Sequence, residues 1–146
     1  MRNWAIVFAI LLSSSLSTWA RKEESVEELK SRAGTASIDE QASIYVRIAE
    51  LQLDAADKFF NDGKAEQAQA AVQDVVNYSE KAGNAATKSS RKLKPTEIAV
   101  RKMAHKLRDI KRAVSFEDQV PLQTAVDRLE KIRTDLLAVM FGKGEK

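Results

Sequence analysis

The side chains that could do chemistry are few and poorly grouped for it. The chain of 146 residues has no cysteine and a single histidine. That excludes a thiol nucleophile, a Cys-x-x-Cys-His haem attachment, the two histidines of a His-Glu-x-x-His zinc site and the paired Glu-x-x-His motifs of di-iron bundles. His105 stands one helical turn before Asp109, close enough for a hydrogen bond, but on a charged helix face such a pair reads as a surface contact. Met103 and Met140 carry the thioether of a haem ligand, yet both fall on apolar stripes and read as core. Glu50, Asp54 and Asp57 share a helical face that could hold a cation. Nothing beside them supplies the glycine turn of a calcium loop, and a solvated face accounts for them better. There is no phosphate-binding glycine loop and no Gly-x-Ser-x-Gly elbow. The sequence therefore predicts no catalytic residue, no metal ligand and no cofactor, and the chain reads as a non-enzyme.

Charge is distributed more informatively than it is totalled. The formal net charge is only +3. Residues 21–87 carry 8 basic and 13 acidic side chains, whereas residues 88–112 carry 10 basic and 2 acidic. The basic set is Lys88, Arg91, Lys92, Lys94, Arg101, Lys102, Lys106, Arg108, Lys111 and Arg112. Such a block suits an anionic partner: lipid head groups, an acidic polymer or an acidic protein. It equally suits packing against the acidic first half of the same molecule, or simple solvation. The block contains no aromatic residue on which a base could stack, so nucleic acid is not expected as a partner.

The elements that must position these groups are helical. Two prolines and five glycines in the whole chain make long helices inexpensive and an all-β fold unattractive. Ser37 and Glu40 have the spacing of a capping box. Ala42, Tyr45, Ile48, Ala49, Ala55, Ala56 and Phe59 then recur at three and four residues, one face of a helix over 38–61. Gly63 in Asn61-Asp62-Gly63-Lys64 suits the left-handed turn that ends it. A second helix over 64–91 carries Ala65, Ala68, Ala71, Val72, Val75, Val76, Ser79 and Ala82, a narrow stripe whose small side chains allow close approach of two axes. Gly83-Asn84 also resembles a helix stop, so 83–94 reads as helix or loop, with the small-residue stripe favouring helix. Pro95-Thr96-Glu97 opens a third helix over 96–114, with Val100, Met103, Leu107, Ile110 and Val114 inward. Phe116–Val120 reads as a connector and Pro121 as the first turn of a fourth helix over 121–141. That helix carries Leu122, Ala125, Val126, Leu129, Ile132, Leu136, Val139 and Met140. Residues 21–36 give a short helix and linker, and 143–146 a frayed tail. The expected fold is all-α: an antiparallel bundle of four long helices, with 37–142 as the domain.

Ala56, Phe59, Gly63 and Ala68, followed by Val72 and Val75, resemble one unit of the tetratricopeptide repeat family. The resemblance implies a tightly packed helical hairpin and binding of a protein or peptide in a groove, which a single unit is too small to form. Gln52 and Ala65 stand where the family prefers large aromatics, no proline closes the unit after Ala82, and no second copy follows at about 34 residues. A generic helical hairpin accounts for the same spacings.

The first 20 residues have a different composition. Met1-Arg2-Asn3-Trp4 is a short basic start, Ala5–Leu12 an apolar run of eight, and Ser13–Ala20 small and polar before Arg21-Lys22-Glu23-Glu24. That order is the pattern of a secretory signal peptide cleaved after Ala20. The alternative, an uncleaved anchor, is opposed by a run far shorter than the roughly 20 residues of a membrane span. The expectation is a periplasmic or secreted protein with no disulfide and no lipid anchor, acting by binding another protein as an adaptor, chaperone or envelope component. The second expectation is a binder of anionic surfaces through 88–112.

Overall fold

The computed structural model describes residues 24–142; the expected leader and the tail at 143–146 lie outside them. Five helices follow in order: α1 (Val26–Ala33), α2 (Ile38–Asn61), α3 (Ala65–Ser89), α4 (Leu93–Ala113) and α5 (Phe116–Phe141). The all-α architecture of four long helices and a short leading one is the one that the periodicity predicts.

Local chemistry sets the boundaries. Ser25 and Glu28 close a capping box on α1, and Ser37 and Glu40 close another on α2. At the end of α2 the Lys64 amide donates to the Phe59 carbonyl at 2.8 Å and the Gly63 amide to the Phe60 carbonyl at 3.1 Å, with Gly63 at φ 72. This is a Schellman turn, which requires the left-handed conformation that glycine adopts freely. Helix α3 does not stop at Gly83. It runs to Ser89 and ends where Ser90 turns left-handed at φ 58, its amide donating to the Ala86 carbonyl at 2.9 Å.

Two expected boundaries are corrected. Helix α4 starts at Leu93, not at 96, with Pro95 third in the helix, where the missing N–H has no carbonyl to meet. Helix α5 starts at Phe116, so the expected connector is its first turn and Pro121 lies inside the helix. The proline withholds an amide from the Glu117 carbonyl. Phe116, Glu117, Val120 and Pro121 are all exposed, so water can take that carbonyl's bond.

Side-chain pairs give the helix directions. Gln69 at the start of α3 donates to Asp118 at the start of α5, so these two run parallel. Asp39 and Asp57, near the two ends of α2, meet Arg91 just before α4 and Lys106 late in α4, so α2 and α4 run parallel as well. The molecule is thus two helical hairpins, α2–α3 and α4–α5, stacked like on like. Helix α1 lies against α2, burying Leu29 and Ala33 on Ile44 and Ile48. The tyrosines beside this contact, Tyr45 and Tyr78, have centroids 6.0 Å apart, and Lys81 stands 4.9 Å from the Tyr78 ring centre, in reach of its negative face.

The α2–α3 contact is made of small residues. Ala42, Ala49 and Ala56 on α2 and Ala68, Val75 and Ala82 on α3 are all fully inaccessible. The bulkier filling comes from the second hairpin: Val100, Met103, Leu107 and Ile110 of α4, and Leu122, Val126 and Leu129 of α5. Ile44 and Leu53 are buried outside the expected stripe, while Tyr45, Ala55 and Phe59 are only half-buried. Gly83 faces α5 so closely that an added Cβ would lie 3.0 Å from Ile132 Cγ2. Ser79 is wholly buried and its hydroxyl has no partner.

Truncating Leu129 to alanine should cost about 2–5 kcal/mol in urea denaturation, and truncating the half-buried Phe59 distinctly less. Equal costs would place Phe59 in the core. Ser79→Ala removes an unsatisfied hydroxyl and improves helix propensity, so it should raise stability by about 1 kcal/mol. A fall in melting temperature would mean that the hydroxyl has a partner in solution.

Candidate functional site

The ten basic residues singled out from the sequence do not act as one group. Arg91 pairs with Asp39 at 3.4 Å, Lys106 with Asp57 at 2.6 Å, Arg108 with Glu130 at 2.7 Å, Arg101 with Glu97 at 3.7 Å and Arg112 with Asp109 at 3.1 Å. Lys111 donates to Gln123. Among the described residues, the side chains of Lys88, Lys92, Lys94 and Lys102 have no ion-pair or hydrogen-bond partner. Four of the six paired members divide between two jobs. Arg91 and Lys106 face the acidic first half across the α2–α4 junction, where the Asp57 hydrogen bond holds the Lys106 ammonium above its usual range. Arg101 and Arg108 belong to a network between α4 and α5.

That network was not legible in the sequence. Glu97, 7% exposed, accepts from Arg133 Nε at 2.8 Å, and Arg133 also reaches Glu130 at 3.4 Å. The result is a chain of alternating charge, Arg101–Glu97–Arg133–Glu130–Arg108, that fixes the register of α4 on α5. The Arg108 hydrogen bond, with a smaller contribution from Arg133, holds the Glu130 carboxyl below its ordinary range against the opposing effect of burial.

The other chemical candidates are dispersed. Asp109 pairs with Arg112 rather than with His105, which is exposed. Glu50 pairs with Arg47 at 3.7 Å and Asp57 with Lys106, while Asp54 faces solvent. Among the described residues no three potential ligands gather to hold a metal. Met103 is buried in the core and Met140 half-buried at its edge. Among the described residues no helix is long and apolar enough to cross a membrane.

Among the open depressions of the described residues, one groove lies beside unpaired lysines. On the outer side of the α2–α4 junction, Val46 and Glu50 of α2 face Lys94, Pro95, Ile98, Ala99 and Lys102 of α4 across a shallow depression of about 530 Å³. The ion pairs Asp39–Arg91 and Asp57–Lys106 bracket it along the helices. Its floor is apolar. Its basic wall carries two of the four unpaired lysines, eight residues and therefore about 12 Å apart along α4. Glu50 on the opposite wall is matched by Arg47. By contrast, the cleft between α3 and α5, lined by Glu80, Arg128, Lys131 and Asp135, is closed on itself by the pairs Arg128–Glu80 and Lys131–Asp135. The lysines of the groove were visible in the sequence as part of a basic run. Val46 and Ile98 were not, because neither falls on a core stripe and only the parallel stacking of α2 and α4 brings them together.

Because the folded-state value of Glu130 is depressed, its contribution to stability is fully present above its unfolded value near 4.5. It is lost as pH falls through the lower folded value. Glu130→Gln should therefore melt below the wild type at pH 7, and the gap should shrink as the pH is taken below 4. A gap that does not change with pH would show that the carboxylate charge is not what the network uses.

Comparison with protein-family models, with curated proteins and with solved structures finds no match to this chain.

Proposed function

We propose that this is an exported, non-catalytic helical protein that acts by binding another protein, as an adaptor, a chaperone-like factor or a structural component of the envelope. The observation that carries the reading is the groove on the α2–α4 junction. It is an apolar depression between two helices, bordered by lysines that the rest of the fold leaves unpaired. Stacked hairpins present helix faces side by side, a common way of receiving a peptide or helix. Of the residues that resemble one tetratricopeptide unit, Ala56 and Ala68 are fully inaccessible and Gly63 makes the turn, which any tightly packed helical hairpin also requires. The second hairpin begins 55 residues after the first, at Leu93 against Ile38, so it is no copy at that family's spacing. The leader pattern of residues 1–20 supports a periplasmic or secreted location.

A second reading has its own observation. Lys88, Lys92, Lys94 and Lys102 together could hold the protein on an anionic surface. The experiment that separates the two is affinity capture from envelope extract on the full-length chain carrying a C-terminal tag, at about 50 mM and about 500 mM salt. Screening at the higher salt removes long-range attraction but leaves packed contacts. Protein partners retained at high salt are expected. Binding only of anionic lipid or polymer, lost with salt, would replace the first reading by the second.

A further inference from the structure

Among the described residues, three surfaces invite a partner most. Phe116 and Val120, 81% and 64% exposed, lie one turn apart at the start of α5, but nothing around them indicates what would cover them. The cleft between the α1–α2 link and the start of α4 holds Arg32 and Lys92 together with Asp39 and Glu40, so it selects for neither sign of charge. The α2–α4 groove selects for both shape and charge.

We infer that the groove receives an acidic amphipathic helical segment of another protein. Apolar side chains of that segment rest on Val46, Pro95, Ile98 and Ala99, and two of its carboxylates meet Lys94 and Lys102. This rests on the protein-binding reading and specifies its site and the partner's chemistry. Two parallel helices offer a furrow into which the ridge of a third can settle. The roughly 12 Å between the two lysines matches carboxylates seven or eight residues apart on the incoming helix. Such a segment would place its apolar residues three or four positions from each carboxylate, over the floor. Complementarity is specific to this place. Arg91 and Lys106 at the groove's ends are neutralised by Asp39 and Asp57, and Glu50 by Arg47, so of the charged residues that line the groove Lys94 and Lys102 are the two still without a counterion. A flat anionic surface fits less well. Lys88 and Lys92 leave from other parts of the molecule, at the end of α3 and beside the α1–α2 link, so the four lysines do not share one plane with the groove.

The test uses the full-length chain and a fluorescein-labelled synthetic helical peptide with two glutamates seven residues apart and leucines at the third and fourth positions between them. Binding is read by fluorescence anisotropy at low salt. The peptide is expected to bind the wild type. Affinity should fall about tenfold or more in the double variant Lys94→Glu/Lys102→Glu, and also in Ile98→Asp. It should be unchanged in Lys88→Glu/Lys92→Glu. All four lysines are at or near the surface, so melting curves of the variants should overlay the wild type and confirm that each is folded. Equal loss in the two lysine pairs, no loss in the groove pair, or no peptide binding at all would each overturn the assignment. So would binding of phosphatidylglycerol vesicles in place of the peptide. The captured partners separate this failure from failure of the broader reading. Partners still retained by Lys94→Glu/Lys102→Glu would leave protein binding in place and remove the groove, whereas a wild type that retains none would remove both.

Discussion

Alanine at every seventh position of α2 lets its backbone lie directly against α3, and the rest of the bundle is arranged around that contact. Ala42, Ala49 and Ala56 offer no bulk to keep the axes apart, and Ala68, Val75 and Ala82 return the same narrow profile. Each alanine removes little apolar area from water. The pair is held by the number of close backbone contacts, made by side chains with no rotamer freedom to lose. A thin layer of this kind cannot fill a core alone. The large residues of α4 and α5 supply the missing volume, and Gly83 repeats the small-residue solution where α3 meets Ile132 of α5.

Charge then decides how the second hairpin sits on the first. The acidic side of α2 meets the basic side of α4 in two ion pairs, one near each end of the junction, which together favour the parallel register over a slipped one. Exposed pairs of this kind add little stability individually, but a slip would set like charges against each other. The Arg101–Glu97–Arg133–Glu130–Arg108 chain does the same inside the second hairpin, in a more buried setting where an unmatched carboxylate would be costly. Most of the basic block is thus consumed in specifying the fold. Of the four lysines it leaves over, Lys94 and Lys102 stand beside an apolar floor.

Helix type and number could be read from periodicity because each long helix has one dominant apolar stripe. The boundaries of α2 were equally legible, since Ser37, Glu40 and Gly63 are residues whose chemistry requires a start and a stop. Other features needed knowledge of neighbours. Ile44 and Leu53 fall off the main stripe of α2 because this helix is covered on two sides, by α1 and by the bundle. Ser90 ends α3 in a conformation that serine rarely signals, and the glycine that did signal a stop, Gly83, serves close packing instead. Prolines favour the first turn of a helix, yet the solvated start of α5 tolerates Pro121 inside it. The groove was half legible: its lysines lie in one run of sequence, but Val46 and Ile98 are 52 residues apart and become neighbours only through the stacking.

Like-on-like stacking of hairpins also shapes how the chain can fold. Each hairpin joins helices adjacent in sequence, so most of its contacts close only short loops and carry little entropic cost. A chain built in this way acquires each pair of helices from local information and defers a single longer-range step, the docking of one pair on the other. That docking surface is the one along which α2 and α4 carry opposite charges. Attraction between the two preformed hairpins would guide them together before any apolar side chain has found its place.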